Sequence, residues 1–308
     1  MKPSTSEDRS ATVGVLYGLS AYGVWGLAPV YFKSVSSVPA FEVLAHRVIW
    51  SVVVLSAWLA LRKRIPQLRA VLKNRKTLAT LAVTTILIAT NWLGFIWAVN
   101  NGFVKFASLG YFINPLFNVL LGVVFLKEHL RPVQWTCVAI AAAGVTVLLA
   151  QGPDVPAKGL ALAFLLATSF GFYGLLRKTA PVQAHVGLCI ETAMFFPIAA
   201  GYLVWLASNG AGTFGHVSRT TDLLLMAAGL MTALPLLWFN NAARRVHLAT
   251  LGFMQYLAPT GHFLLAVLAY HEPLSRHELA GFCLIWLALA AYSIEAALRQ
   301  RRSRLLAP

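Results

Sequence analysis

Charge is scarce in this chain. Only 11% of its 308 residues are Asp, Glu, Lys or Arg, against roughly 25% in an average soluble domain. Acids are the scarcer sign, with 10 Asp and Glu beside 25 Lys and Arg. Cysteine is down to three, Cys137, Cys189 and Cys283, all within apolar stretches and none at metal-ligand spacing. That argues against a zinc module or a disulfide scaffold and predicts buried structural thiols. Enzyme signatures are missing as well. There is no Gly-x-Ser-x-Gly elbow and no Walker loop, and "HELAG" at His277 begins like a zinc-protease motif but ends in Gly281. No enzyme activity, cofactor or metal is expected.

Apolar residues are what the chain does have, at 58%. No water-facing fold of this size hides so much apolar surface, so the solvent has to be lipid. A helix needs about 20 predominantly apolar residues to cross a bilayer. Ten runs qualify: 12–31, 41–61, 77–98, 106–126, 133–150, 159–176, 186–207, 223–242, 248–270 and 279–298. None alternates polar and apolar as barrel strands do. The fold class is therefore an all-α integral membrane protein with ten transmembrane helices. The first run is too long, and lacks the small-residue cleavage site, for a signal peptide.

The net charge of +15 follows orientation rather than a nucleic-acid partner. With the N-terminus in the cytoplasm, nineteen basic residues fall on the inner side. Seven of them lie in "RKRIPQLRAVLKNRK" between the second and third runs, and Arg177 and Lys178 count among the inner loops. The outer loops hold five, one each, and Arg47 lies within the second run. This asymmetry places both termini in the cytoplasm.

The chain also repeats itself. "GVLYGLSAYGVWGLAPVYFK" from Gly14 aligns with "GLALAFLLATSFGFYGLLRK" from Gly159, pairing Gly26 with Gly171 and, further on, His46 with Glu191. "ASLGYF" from Ala107 aligns with "ATLGFM" from Ala249. Pro115 and Pro259 correspond, each 13 residues before a glutamate, Glu128 or Glu272. Repeat 1 covers residues 12–150 and repeat 2 residues 158–298, with cytoplasmic tails at 1–11 and 299–308. Five helices per repeat is an odd number, so the second copy enters the membrane upside down. Such 5+5 inverted topology is a hallmark of secondary transporters.

The motifs "LAHRVIWS" (Leu44–Ser51), "NWLGFIWAVNN", "ASLGYFINPL" and the "KEH" closing the fourth run resemble the RarD branch of the EamA family, in the drug/metabolite transporter superfamily. The resemblance spans about Gly14 to Leu298. It implies a ten-helix permease of the bacterial cytoplasmic (inner) membrane that moves a small metabolite or amphiphilic compound.

The costly residues are the polar ones inside the runs. Arg47 is either a cargo anchor or a structural cation, snorkelling outward or paired with Glu42. The two are five apart, so their faces diverge by about 140° and a direct pair is strained. Glu191 and His46 are the candidates for proton coupling, each with a packed structural role as the alternative. Gly110, Asn114, Asn118 and Gly122 recur every four residues and form one polar stripe, serving either cargo or helix packing. The remaining substrate-binding candidates are Tyr22, Trp25, Asn91, Trp92, Tyr111, Tyr173, Gln255 and His262. Pro115 and Pro259 are expected hinges, because proline removes a helix hydrogen bond. The expected partners are the small-molecule substrate and membrane lipids, with the fifth and tenth helices as packing or homodimer surfaces. The alternatives in function are an intramembrane enzyme using His46 and Glu191, or a membrane-assembly protein.

Overall fold

The computed structural model describes residues 6–149, 157–271 and 275–306, and among these it is helical throughout. Glu272, the repeat partner of Glu128, lies outside the described residues. Ten helices are long and apolar enough to cross a membrane. In the first half these are α1 (Ser6–Ser34), α2 (Ala40–Leu61), α4 (Arg75–Asn100), α5 (Val104–Leu126) and α6 (Pro132–Leu149). The second half holds α7 (Ala157–Thr179), α8 (Ala184–Ser208), α9 (Arg219–Ala243), the broken helix α10 (Leu248–Gln255) and α11 (Leu257–Leu264), and α12 (Arg276–Leu306). A short helix, α3 (Ile65–Leu72), occupies the basic connection between α2 and α4.

Helices α1 and α12 run further than the apolar runs. They carry helix into residues 6–11 and 299–306, the segments expected as tails. "EAALRQRRSRLL" is rich in Ala, Leu, Glu and Arg, all good helix formers, so nothing local stops α12 at the last apolar residue.

The two halves interleave. Helix α1 packs on α9, and its repeat counterpart α7 packs on α4. Helix α2 packs on α9, and α8 on α4; α5 packs on α7, and α10–α11 on α1. Helices α2, α5 and α6 each face their own counterpart, α8, α10 and α12. Every major contact between halves therefore has a mate under exchange of the halves. In lipid these contacts rest on close approach rather than on apolar burial. A Cβ at Gly144 of α6 would stand 2.9 Å from the Gly281 carbonyl of α12, and one at Gly261 of α11 would stand 2.8 Å from Gly26 Cα of α1. The pair α6–α12 thus spends its small-residue face within the chain. The outer face of α12 leaves Cys283 exposed, which corrects the expectation of three buried thiols.

The two expected hinges differ. Helix α5 runs unbroken through Pro115. The ninth run is divided, and α10 ends at Gln255, four residues before Pro259, where proline leaves a helix carbonyl without its donor. Tyr256 sits in the break, and its hydroxyl donates to the Phe112 carbonyl of α5 at 3.4 Å, beside Pro115.

At the basic end, the chain leaves α5 through Lys127 in a left-handed conformation (φ 53°). This brings the Glu128 carboxylate over the start of α10, where it accepts from the backbone N–H of Leu248 at 2.7 Å and of Ala249 at 3.0 Å. His247 Nδ1 lies 3.6 Å away. Glu128 is thus a helix cap supplied by the connection between α5 and α6. Burial pushes its carboxyl upward, but His247 and the two amides outweigh that and hold it below the usual carboxylate range. A lowered folded value means that this stabilisation is present above the unfolded value, about 4.5, and is lost as pH falls through the folded one. Glu128→Gln is expected to cost about 1 kcal/mol at neutral pH and to flatten the acid limb of thermal stability measured in detergent. An unchanged acid limb would contradict this role.

Candidate functional site

The segment Val186–Thr192 of α8 is buried at every residue, because α2, α4 and α9 pack on α8 and the side chains of Arg177 and Tyr173 reach it from α7. Glu191 lies in this enclosure, seven residues in from the basic end, or about 10 Å at 1.5 Å per residue. Both Glu191 and Arg177 are buried, at 2% and 1% exposure. Arg177 Nε stands 3.5 Å from Glu191 Oε1. Its Nη2 donates to the Ala184 carbonyl at 3.1 Å. Gly187 leaves the room the guanidinium fills, since a side chain there would overlap it.

The other carboxylate contacts are hydroxyls. Thr84 Oγ1 of α4 lies 2.5 Å from Glu191 Oε1 and 2.9 Å from the Leu81 carbonyl. Tyr173 donates to Glu191 Oε2 at 3.4 Å and accepts from Asn240 Nδ2 at 3.1 Å. A hydroxyl has one proton. When Thr84 donates to Glu191, Oε1 carries no proton. When Thr84 donates to Leu81, a protonated Glu191 can donate to Thr84. The same geometry holds the carboxyl with or without its proton.

Above this network the axis is closed by rings. Tyr22 and Trp25 of α1, Phe170 and Tyr173 of α7, and Phe239 of α9 pack with centroids 5.0–6.2 Å apart. Trp25 and Phe170 occupy equivalent repeat positions and meet each other at 5.9 Å. The Tyr22 hydroxyl is buried with no hydrogen-bond partner among the described residues.

Arg47 lies beyond the rings, toward the far end. Its Nε donates to Thr232 Oγ1 of α9 at 2.9 Å. Its guanidinium carbon lies 4.9 Å from the Trp92 ring centre and 5.7 Å from that of Phe32. Tyr31 and Tyr111 are within electrostatic reach. Glu42 is not its partner. That carboxylate accepts from the amides of Thr213 and Phe214 in the α8–α9 loop, at 2.8 and 3.3 Å. Arg47 is thus ringed by α1, α4, α5 and α9, yet keeps part of its surface open. Trp25, Trp92, Tyr111 and His262 are likewise partly open, whereas Tyr173, Glu191, Asn240 and Gln255 at the basic end are buried.

The structure separates the remaining candidates. Asn118 Nδ2 donates to Asn114 Oδ1 at 3.0 Å and to Gln255 Oε1 at 2.9 Å, and Asn114 donates to the Ala167 carbonyl of α7. Asn91 donates to the Leu166 carbonyl and to Ser169. These amides bind helices to one another in this conformation. His262 Nε2 contacts the Trp25 carbonyl at 2.9 Å, tying α11 to α1. His46 is buried against Phe214 with a centroid distance of 4.9 Å, and neither ring nitrogen has a partner among the described residues. His46 therefore lies near the far end and Glu191 near the basic end, with no partner in common.

Residue-by-residue reading missed Arg177, Phe170, Phe239, Thr84 and Thr232. Arg177 was legible in principle. A single acid in an apolar run needs a cation, and Arg177 is the one just across the α7–α8 turn. Beside Glu191 a cavity of about 10 Å³ is lined by Thr85, Trp92, Tyr173 and Thr192 among others. That is room for about one water, so this conformation is closed around the carboxyl.

Ten apolar helices around buried charges, amides and rings define a polytopic membrane protein. The EamA-like transporter family matches residues 12–150. Protein RarD of Escherichia coli is 45% identical, over 94% of this chain and 97% of its own length. An uncharacterized transporter of Vibrio cholerae is 46% identical over 94% and 95%, and the chloramphenicol-sensitive protein RarD of Pseudomonas aeruginosa 32% over 90% and 92%. A solved crystal structure, 20% identical, shares the fold at a TM-score of 0.71, covering 96% of this chain and 99% of that one. The chain belongs to the EamA-like transporter family, among relatives named RarD.

Proposed function

We propose that this transporter is a secondary permease that moves a small metabolite with an anionic group by alternating access between two inverted halves. The observation that carries the reading is the exchange of contacts between halves, combined with unequal ends. At the far end Arg47 is half-buried inside its ring of helices, whereas at the basic end Arg177 and Glu191 are fully buried beneath the aromatic layer. Two halves that can exchange shapes supply both an outward and an inward conformation. Arg47, with Trp92 and Tyr111 beside it, suits a carboxylate or phosphate held in an apolar pocket. Glu191 is the group for proton coupling. Protonation removes its charge, frees Arg177 and loosens the seal. The amides Asn91, Asn114, Asn118 and Gln255 then hold the closed form, and the broken α10–α11 helix is the hinge element.

Metabolite profiling of cells with and without the protein, followed by liposome flux of the anionic hits, tests the reading. Proton-driven accumulation of an anionic hit supports it. Flux indifferent to cargo charge would overturn the Arg47 assignment. Glu191→Gln is expected to abolish the pH dependence of flux, and an unchanged pH profile would reject the coupling role.

A further inference from the structure

Helix α3 has no counterpart in the second half, where the equivalent connection, residues 209–218, forms no helix. It begins with Pro66 in its first turn and has no fully buried residue. Ile65, Leu68 and Val71 recur every three residues and pack against the core cluster. This is the pattern of a helix lying in the membrane interface. Between α2, α3 and α8 a groove of about 300 Å³ opens, lined by Ser56, Leu68, Leu72, Cys189, Ala193 and Met194 among others. Its walls are mostly apolar. Ser56 and Cys189, 3.8 Å apart, close it from the bundle interior.

The charge beside this groove is one-sided. Residues 62–76 hold Arg62, Lys63, Arg64, Arg69, Lys73, Arg75 and Lys76 and no acid. All seven are exposed. Arg69 and Lys73 each follow a groove-lining leucine. Arg75 and Lys76 open α4, the end of a helix where the dipole disfavours cations. The only acid nearby in α8, Glu191, is taken by Arg177. Among the described residues none of the seven forms an ion pair, which leaves them free for an anion beside an apolar slot.

We infer that the α2–α3–α8 groove is a binding site for an anionic phospholipid, with an acyl chain in the slot and the headgroup phosphate on Arg69 and Lys73. Juxtamembrane clusters of four to eight Lys and Arg attract anionic headgroups in general; the slot turns that attraction into a defined site. A lipid here braces α3 against α8 within two turns of Glu191, so headgroup charge reaches the sealed end of the transporter.

The test uses the full-length protein in detergent, with phosphatidylglycerol or phosphatidylcholine added at equal concentration. Thermal unfolding is followed, and retained lipid is counted by native mass spectrometry. The expected result is a larger rise in Tm with phosphatidylglycerol and one such lipid retained. Arg69→Gln with Lys73→Gln, both on exposed side chains, is expected to erase the preference. Ala193→Phe, at an exposed position that fills the slot, is expected to release the retained lipid. Equal Tm shifts for the two lipids would overturn the inference. So would a phosphatidylglycerol preference that survives the double substitution, or a lipid still retained by Ala193→Phe.

Discussion

Arg177→Met is expected to destabilise the protein by about 3–5 kcal/mol, the range for removing one partner of a buried ion pair. The cost comes from what remains. Glu191 stays in a segment of α8 that is buried throughout, with Thr84 and Tyr173 as its hydrogen-bond partners among the described residues. Two hydroxyls do not replace a guanidinium. The pair itself is worth far less than the loss of one member, because desolvation offsets most of its attraction. Arg177→Met combined with Glu191→Leu is therefore expected to recover most of the stability while losing proton coupling. Thermal unfolding of the two variants in detergent measures both effects. A double variant as unstable as the single one would show that packing around Gly187 and Ala184, rather than charge, governs this end.

Arg47→Ala is expected to lower flux of an anionic cargo by about 10- to 100-fold, the span of a charge-assisted hydrogen bond of roughly 1.5–3 kcal/mol. Little stability should be lost with it. Arg47 has no acidic partner to orphan among the described residues, and Thr232 keeps its bond to the Ala228 carbonyl at 2.8 Å. Arg47→Lys keeps the charge but loses the planar fork that grips a carboxylate or phosphate, so its flux should fall between wild type and alanine. Liposome flux at matched protein content reads the order. Alanine and lysine variants with wild-type flux would remove Arg47 from the cargo path.

How much of this was legible depends on the kind of force involved. The ten apolar runs and their ends follow from the length of a bilayer crossing, which is a one-dimensional constraint. The break at Gln255 follows from Pro259, but the unbroken passage through Pro115 does not. The stripe of Asn114 and Asn118 is visible in the sequence, and its role is not, because the same amide can serve a ligand or the Ala167 carbonyl. Arg177 was hidden by its position at the end of a run, where it looks like one more cytoplasmic cation. Helix α3 was hidden the same way. Its seven basic neighbours read as a loop, although Pro66 and the Ile65–Leu68–Val71 spacing are helix signals. Spacing strains a Glu42–Arg47 pair without removing it, and the structure gives Glu42 the Thr213 and Phe214 amides instead.

The central claim is that the far end opens to Arg47 while the Arg177–Glu191 pair seals the basic end. Single cysteines at Tyr111 and at Asn240, in a protein whose three native cysteines are replaced, test it through labelling by a membrane-impermeant thiol reagent from each side. The expected result is labelling of the Tyr111 position, which is partly exposed beside Arg47, from the outside, with the buried Asn240 position protected until Glu191→Gln is introduced, after which it labels from the cytoplasmic side. Labelling of the Asn240 position without that substitution, or its continued protection with it, would contradict the account.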